Sequence, residues 1–171
     1  RTVTVCSPGS FEYSKSLRAS AVFDYRSPTC GADICTYTNN SLYHCFDTRP
    51  IKSSADICVD TLFSHSSTDK SKPFHAGFQG LVVEIKRENI GIETTLSYRG
   101  LSEAIRIGEI EISAIPEHKA FVARWIGIAE HLTMEGELRL HTFEVRDEGL
   151  QGALGRLEEM RKGGIRGKKL I

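Results

Sequence analysis

Thr2-Val3-Thr4-Val5-Cys6-Ser7-Pro8-Gly9-Ser10-Phe11, followed shortly by Ala21-Val22-Phe23-Asp24-Tyr25, decides the fold. The β-branched residues from Thr2 to Cys6 favour a pleated strand. Ser7-Pro8-Gly9-Ser10 is turn chemistry, because Pro fixes φ, Gly is permissive and either Ser can cap a helix. Glu12 then falls in the first turn of a helix over Phe11 to Arg18, where the dipole favours an anion. Ala21 to Tyr25 is strand-like again. A strand, a short helix and a strand make a βαβ unit, so a parallel sheet is expected.

Ligands of open parallel sheets sit beyond the carboxyl ends of the strands. Ser7 and Ser10 offer hydroxyls at such an end, and the helix start offers backbone N–H groups. A dinucleotide fold that holds a ribose 2′-OH wants a carboxylate there. Cys6-Ser7 provides none, so a 2′-phosphate would not be repelled. The same residues are also an ordinary helix cap and turn.

Working outward, 171 residues make about one domain with a sizeable core. The 22 basic and 22 acidic residues cancel, which argues against bulk attraction to nucleic acid or an anionic membrane. No apolar run approaches a membrane helix, and no leader pattern opens the chain. Cys6, Cys30, Cys35, Cys45 and Cys58 are odd in number and contain no C-x-x-C pair, which fits free thiols in a reducing compartment such as the cytoplasm. Asn39-Asn40-Ser41 reads as a chance sequon. Arg1 enters a strand with no lead-in, so the chain is expected to be a fragment or a shortened reading frame.

Further along, Ile34, Tyr37 and Thr38 suggest a short helix stopped at Asn39-Asn40. Leu42–Asp47 is the next strand. Ser53 or Ser54 can cap a helix in which Ala55, Cys58, Val59 and Leu62 recur at helical spacing. Ser64 to Lys72 reads as loop, and the signal fails as far as Gly80. Leu81–Ile85 and Thr94–Tyr98 read as strands, while Ala104–Ile115 has no clean assignment. Pro116 opens the longest helix, with Phe121, Trp125, Ile128 and Leu132 as its expected buried stripe and Gly136 as its stop. Leu138–Val145 alternates as a half-buried strand. A last helix carries Leu150, Ala153, Leu154 and Leu157 on one face. Gly163-Gly164 stops it, and Lys168–Ile171 is a terminal strand.

For chemistry, the six histidines, His44, His65, His75, His118, His131 and His141, show no ligand spacing with Cys or carboxylate, so no metal site is expected. G-x-S-x-G, a P-loop and a complete G-x-G-x-x-G are all missing. Gly163-Gly164-Ile165-Arg166-Gly167 is either a helix stop and turn or a nucleotide-touching loop. Glu158-Glu159 and Lys168-Lys169 read as solvated faces.

Together, Cys6–Phe11, Lys15-Ser16-Leu17-Arg18-Ala19 and Val22–Arg26 resemble the second βαβ step of medium-chain dehydrogenases/reductases. Tyr37–Leu42, Cys45-Phe46-Asp47, Thr95–Tyr98, Gly136-Glu137-Leu138, Arg161-Lys162-Gly163 and Gly167–Leu170 continue the likeness. It is closest to the zinc-independent fungal branch, which includes trans-enoyl reductases partnering polyketide synthases and toxin-cluster dehydrogenases. It covers most of the chain outside Ser64–Asn89.

The resemblance implies an α/β fold: a partial Rossmann-type parallel sheet with helices on both faces, plus C-terminal strands of a GroES-like substrate domain. It divides the chain into a partial NADP-binding domain (1–115), a connecting helix (116–135) and a segment returning to the substrate domain (136–171). It places Ser7, Pro8, Gly9 and Ser10 at the 2′-phosphate and ribose of NADP, Tyr25 against the adenine, and Arg166 and Gly167 near the cofactor. It implies an NADP-dependent oxidoreductase of secondary metabolism, acting on an enoyl thioester, with a polyketide synthase or its acyl carrier as partner and a monomer or weak dimer as its state.

The departures are specific. The family's first Rossmann strand, its Gly-rich turn and its N-terminal substrate domain have no counterpart, so no catalytic residue is assigned and turnover by these residues alone is expected to be low. Arg18 stands where the family has Gly, and keeping a left-handed helix end there should cost of order 1 kcal/mol. A non-catalytic remnant or binding module with an α/β fold is the alternative. A methyltransferase-type fold is disfavoured by Ser7, since it wants an acid at that position.

Overall fold

The computed structural model describes residues 2–64, 72–78, 85–146, 149–165, 167 and 169–170. The chain divides into two compact units, Arg1–Ala114 and Ile115–Ile171.

The first unit opens with strand β1 (Val3–Cys6), a 3-10 turn (Pro8–Ser10), helix α1 (Phe11–Ser16) and strand β2 (Ala21–Asp24). β1 and β2 are parallel, with Cys6 opposite Asp24, as the β-branched runs and the short crossover require. α1 ends at Arg18, whose φ is +69°. Arg18 N–H donates to the Lys15 carbonyl at 2.9 Å and Ala19 N–H to the Ser14 carbonyl at 3.2 Å, closing the helix in a left-handed cap. A Cβ in that region is strained. Arg18→Gly is therefore expected to stabilise the chain by about 0.5–1 kcal/mol, measured by urea unfolding at unchanged slope.

Helix α2 (Cys30–Tyr37) follows β2, and Asn39 and Asn40, both at φ +51°, end it as expected. Strand β3 (His44–Asp47), helix α3 (Lys52–Thr61), strand β4 (Phe74–Phe78) and strand β5 (Gly91–Thr95) complete a second parallel sheet in the order β3-β4-β5. α2 packs on α3, and Cys30, Ile34, Ala55, Cys58 and, just past α3, Leu62 are buried. Each large side chain so covered contributes about 1.5–3 kcal/mol of transfer free energy. The end of α3 is held by Arg87, which donates to the carbonyls of Val59 (2.8 Å), Leu62 (2.9 Å) and Phe63, satisfying groups that a helix terminus leaves open.

Several expectations change here. Ser54 is not the cap of α3. It sits one turn in, where its hydroxyl accepts from the Ile51 N–H at 3.0 Å and lies 2.7 Å from Asp47 Oδ2. β4 falls in the stretch that gave no signal, because Phe-His-Ala-Gly-Phe buries a His and a Gly rather than branched apolar residues. Of the expected strand Leu81–Ile85, residues 81–84 lie outside the described residues, and Ile85 is not in a strand. Residues 65–71 of the expected loop, with His65, also lie outside them. The strand expected over Thr94–Tyr98 lies earlier, at Gly91–Thr95, because pairing with Phe74–Phe78 sets its register. A 3-10 segment covers Ser97–Leu101. Ala104–Ile115 contains a hairpin, β6 (Ile105–Ile107) and β7 (Ile110–Ile112), turned at Gly108 with φ +62°.

The second unit holds α4 (Pro116–Met134), β8 (Phe143–Glu144), α5 (Gly149–Arg161) and β9 (Lys169–Leu170), with β8 and β9 parallel. Pro116 occupies the first turn of α4 and Gly136, at φ +73°, follows its end. The expected buried stripe is instead largely exposed, with Trp125 52 % accessible, and Leu150 on α5 is 94 % accessible. Periodicity is a local property of a helix, whereas burial needs another element on that face. The half-buried strand expected over Leu138–Val145 shrinks to β8, and Leu140 is exposed.

Candidate functional site

β1 and β2 end side by side, so Ser7–Ser10 and Tyr25 lie past the carboxyl ends of adjacent parallel strands. The fold thus brings five of the seven expected residues to one sheet edge. Ser7 is extended (φ −71°, ψ 150°) and neither Ser7 nor Ser10 spends its side chain on a cap. Their hydroxyl oxygens are 3.5 Å apart. The amide donors expected there are partly committed: Ser10 N–H donates to the Ser7 carbonyl at 2.8 Å, and Phe11 N–H to the Pro8 carbonyl. The hydroxyl pair is therefore the stronger feature of this edge. Tyr25 is half exposed.

The strand end also holds a pair that sequence reading passed over. Asp24 accepts from Arg26 through Nε and Nη2, each at 3.1 Å, and from the Arg26 backbone N–H at 3.0 Å. This fork holds the Asp24 carboxyl below the usual carboxylate range. The Arg26 guanidinium carbon lies 6.0 Å from the Tyr25 ring centroid. The Asp24 carboxylate beside the β1 end is thus already charge-paired. The Asp-x-Arg spacing at a strand end was the available signal.

Arg166 lies outside the described residues. Gly167 has φ +65° and belongs to the second unit.

A second constellation was invisible to spacing. Cys45 and Asp47 alternate onto one face of β3, and Cys45 is in register with His75 on β4. Cys58 reaches the same place from α3. Asp47, Cys58 and His75 are buried, with a potential ligand atom from each lying within 4.8 Å of the others. Cys45 Sγ is 2.8 Å from Cys58 Sγ. The shared proton lowers Cys45 and, with burial, pushes Cys58 far up from the ordinary thiol range. This corrects the expectation that no His lies in a cluster with Cys and carboxylate. The fold joins residues that are far apart in the chain.

No helix among the described residues is long and apolar enough to cross a membrane.

No family model matches the chain. It is similar along nearly its whole length to fungal trans-enoyl reductases. A trans-enoyl reductase of Fusarium mangiferae is 32 % identical over 170 residues, covering 99 % of this chain and 44 % of that protein. A dual trans-enoyl reductase/FAD-dependent monooxygenase of Aspergillus terreus is 33 % identical over 162 residues, covering 94 % and 22 %. Among solved structures, the enoyl-reductase-type cyclopropanase of the curacin A pathway superposes with a TM-score of 0.66 at 11 % identity, covering 98 % of this chain and 46 % of that one. The alcohol dehydrogenase of Aeropyrum pernix gives 0.61 at 14 %, covering 99 % and 42 %. The chain shares the fold of part of each of these solved enzymes, and it spans about half the length, or less, of the curated relatives it matches.

Proposed function

We propose that this chain is the cofactor-domain portion of an NADP-dependent medium-chain reductase that reduces an enoyl thioester in fungal polyketide metabolism. The observation that carries the proposal is strand order. A dinucleotide sheet runs 3-2-1-4-5-6. If β1 to β5 occupy positions two to six, β2 must lie beside β1, and β3, β4 and β5 must follow one another. These are the observed pairings. On this reading the first position, between β1 and β3, is filled by a segment of the longer enzyme. Residues 1–115 then form the nucleotide half, 116–135 the connection and 136–171 the return to the substrate domain. The partner is a polyketide synthase or its acyl carrier, and the working compartment is the cytoplasm.

The residues at the β1–β2 edge fit a 2′-phosphate: two hydroxyls without cap duties, and a neighbouring carboxylate already held by Arg26. Ser7 and Ser10 would donate to the phosphate oxygens, and Tyr25 would stack on the adenine. Arg26 would keep Asp24 from repelling the ligand. The family resemblance also carries Arg166 and Gly167 over as cofactor-binding residues. The bound nicotinamide supplies the hydride without a catalytic zinc, and the chain's part is to orient it.

The test is fluorescence titration with NADPH and NADH. NADPH is expected to bind the more tightly. Ser7→Asp should weaken it by about tenfold, since a like charge near the phosphate costs roughly 1.4 kcal/mol, while NADH changes little. Purified chain with NADPH and a crotonyl thioester is expected to turn over slowly. Failure of NADPH to saturate at millimolar levels would favour a non-catalytic α/β module.

A further inference from the structure

We infer that Cys45, Asp47, Cys58 and His75 form a closed site for a divalent metal ion, with Zn(II) the ion their chemistry suits. The inference is independent of the reductase reading, because the cluster lies apart from Ser7–Ser10 in the chain's second sheet and leaves no ligand position for a substrate.

The starting observation is His75. It is 3 % accessible, and neither Nδ1 nor Nε2 has a hydrogen-bond partner among the described residues. Its Nε2 is 3.7 Å from Asp47 Oδ2, too long for a hydrogen bond. A buried imidazole with both nitrogens unmet is costly, and an ion is one of the few things that explains it. Two arms of about 2.0–2.2 Å around a tetrahedral zinc put their ends roughly 3.4 Å apart, close to this N–O separation.

The thiols complete the set. Cys58 Sγ is within 4.8 Å of the His75 and Asp47 atoms. Cys45, opposite His75 in the β3–β4 register, brings a second sulfur to 2.8 Å from the first. Zinc arms of about 2.3 Å would hold two sulfurs roughly 3.8 Å apart, so loading requires the pair to part by about 1 Å through side-chain rotation. Two sulfurs, an imidazole and one carboxylate suit Zn(II) and not Mg(II) or Ca(II), which take oxygen. The carboxylate is already oriented: Ser54 Oγ lies 2.7 Å from Oδ2, and the Arg49 N–H donates to Oδ1 at 3.0 Å. A disulfide between Cys45 and Cys58 would leave His75 unmet, whereas an ion uses all four groups. On loading, both thiols give their protons to solvent, and Zn(II) with two thiolates, one carboxylate and neutral imidazole carries a net charge of −1.

The experiment uses the 171-residue chain, purified under reducing conditions and stripped of metal, titrated with Zn(II) against a chromogenic chelator and separately with Co(II). One metal per chain is expected. Co(II) should show thiolate charge-transfer absorption and tetrahedral visible bands, and Zn(II) should raise the thermal midpoint. His75→Gln and Cys58→Ser should each weaken Zn(II) binding by more than about 100-fold, beyond what loss of a supporting group costs. Cys45→Ser should reduce the charge-transfer intensity by about half in a chain whose far-ultraviolet circular dichroism is unchanged. Because the buried variants can fail to fold, the wild-type Co(II) spectrum decides alone. Absence of thiolate bands, charge-transfer intensity and Zn(II) affinity unchanged in Cys45→Ser, or a Cys45–Cys58 disulfide with no metal uptake after reduction would each overturn the site.

Discussion

Leu62→Ala is expected to lower the unfolding free energy by about 2–5 kcal/mol, the range for emptying a packed interior position. Leu62 is 0 % accessible, immediately after α3, and belongs to the buried set with Ile34 and Cys30 of α2. Its backbone is tied down independently: the segment pairs with Leu42 across a parallel bridge, and the Leu62 carbonyl accepts from Arg87. The cavity therefore cannot close by simple collapse of the chain around it. Domains of this size hold about 5–15 kcal/mol in all, so the loss is a large share of the total. Urea unfolding should show a lower midpoint with an unchanged slope. Ile92→Ala, at a half-exposed position on β5, is the control and should change stability by less than about 0.5 kcal/mol, as exposed sites commonly do. Equal effects at the two positions would mean that the α2–α3 layer is not the core.

Gly31→Ala should cost about 1–3 kcal/mol by overpacking the same layer. A Cβ built on Gly31 would stand 2.5 Å from Asp60 Cβ and 3.2 Å from Asp60 Oδ2. The first is a side-chain root rather than a flexible tip, so α2 and α3 must separate or tilt. The glycine is needed here for approach and not for backbone freedom, since it lies in α2 and its substitution by Ala would otherwise favour the helix. Asp60→Gly removes the obstructing atoms. In a double-mutant cycle the pair should therefore couple by about 1 kcal/mol or more in the relieving direction, apart from the helix cost of the second glycine. Strict additivity would show that the helices do not touch at this point.

These effects concern the layer that periodicity anticipated well. Ala55, Cys58 and Leu62 recur at helical spacing and are buried, and Asn39-Asn40 stops α2 as turn chemistry requires. Elsewhere local pattern misled. Phe121 and Trp125 have the spacing of a core stripe yet are exposed, because the stripe describes the helix and not its neighbours. β4 was silent because its inward residues are His75 and Gly77. A His looks polar in sequence and becomes interior only when strands on both sides and a helix enclose it.

The candidate cofactor edge was legible for the same reason that β1 was. Turn residues placed directly after a β-branched run define a strand's carboxyl end, and Ser7–Ser10 and Tyr25 are near neighbours in the chain. Register then added what spacing lacked: pairing Cys6 with Asp24 sets the Asp24–Arg26 fork beside that end.

The α/β class, the parallel β1–β2 unit and the helix stops were present in the order of residues, since each depends on steric preferences acting over a few neighbours, while the left-handed strain at Arg18 was implied by the family resemblance. Which faces are covered, which strand is central, and which of the histidines meets two cysteines and an aspartate depended on the tertiary structure. Those outcomes rest on contacts between segments tens of residues apart. Their energies come from burial and register, which no local pattern encodes.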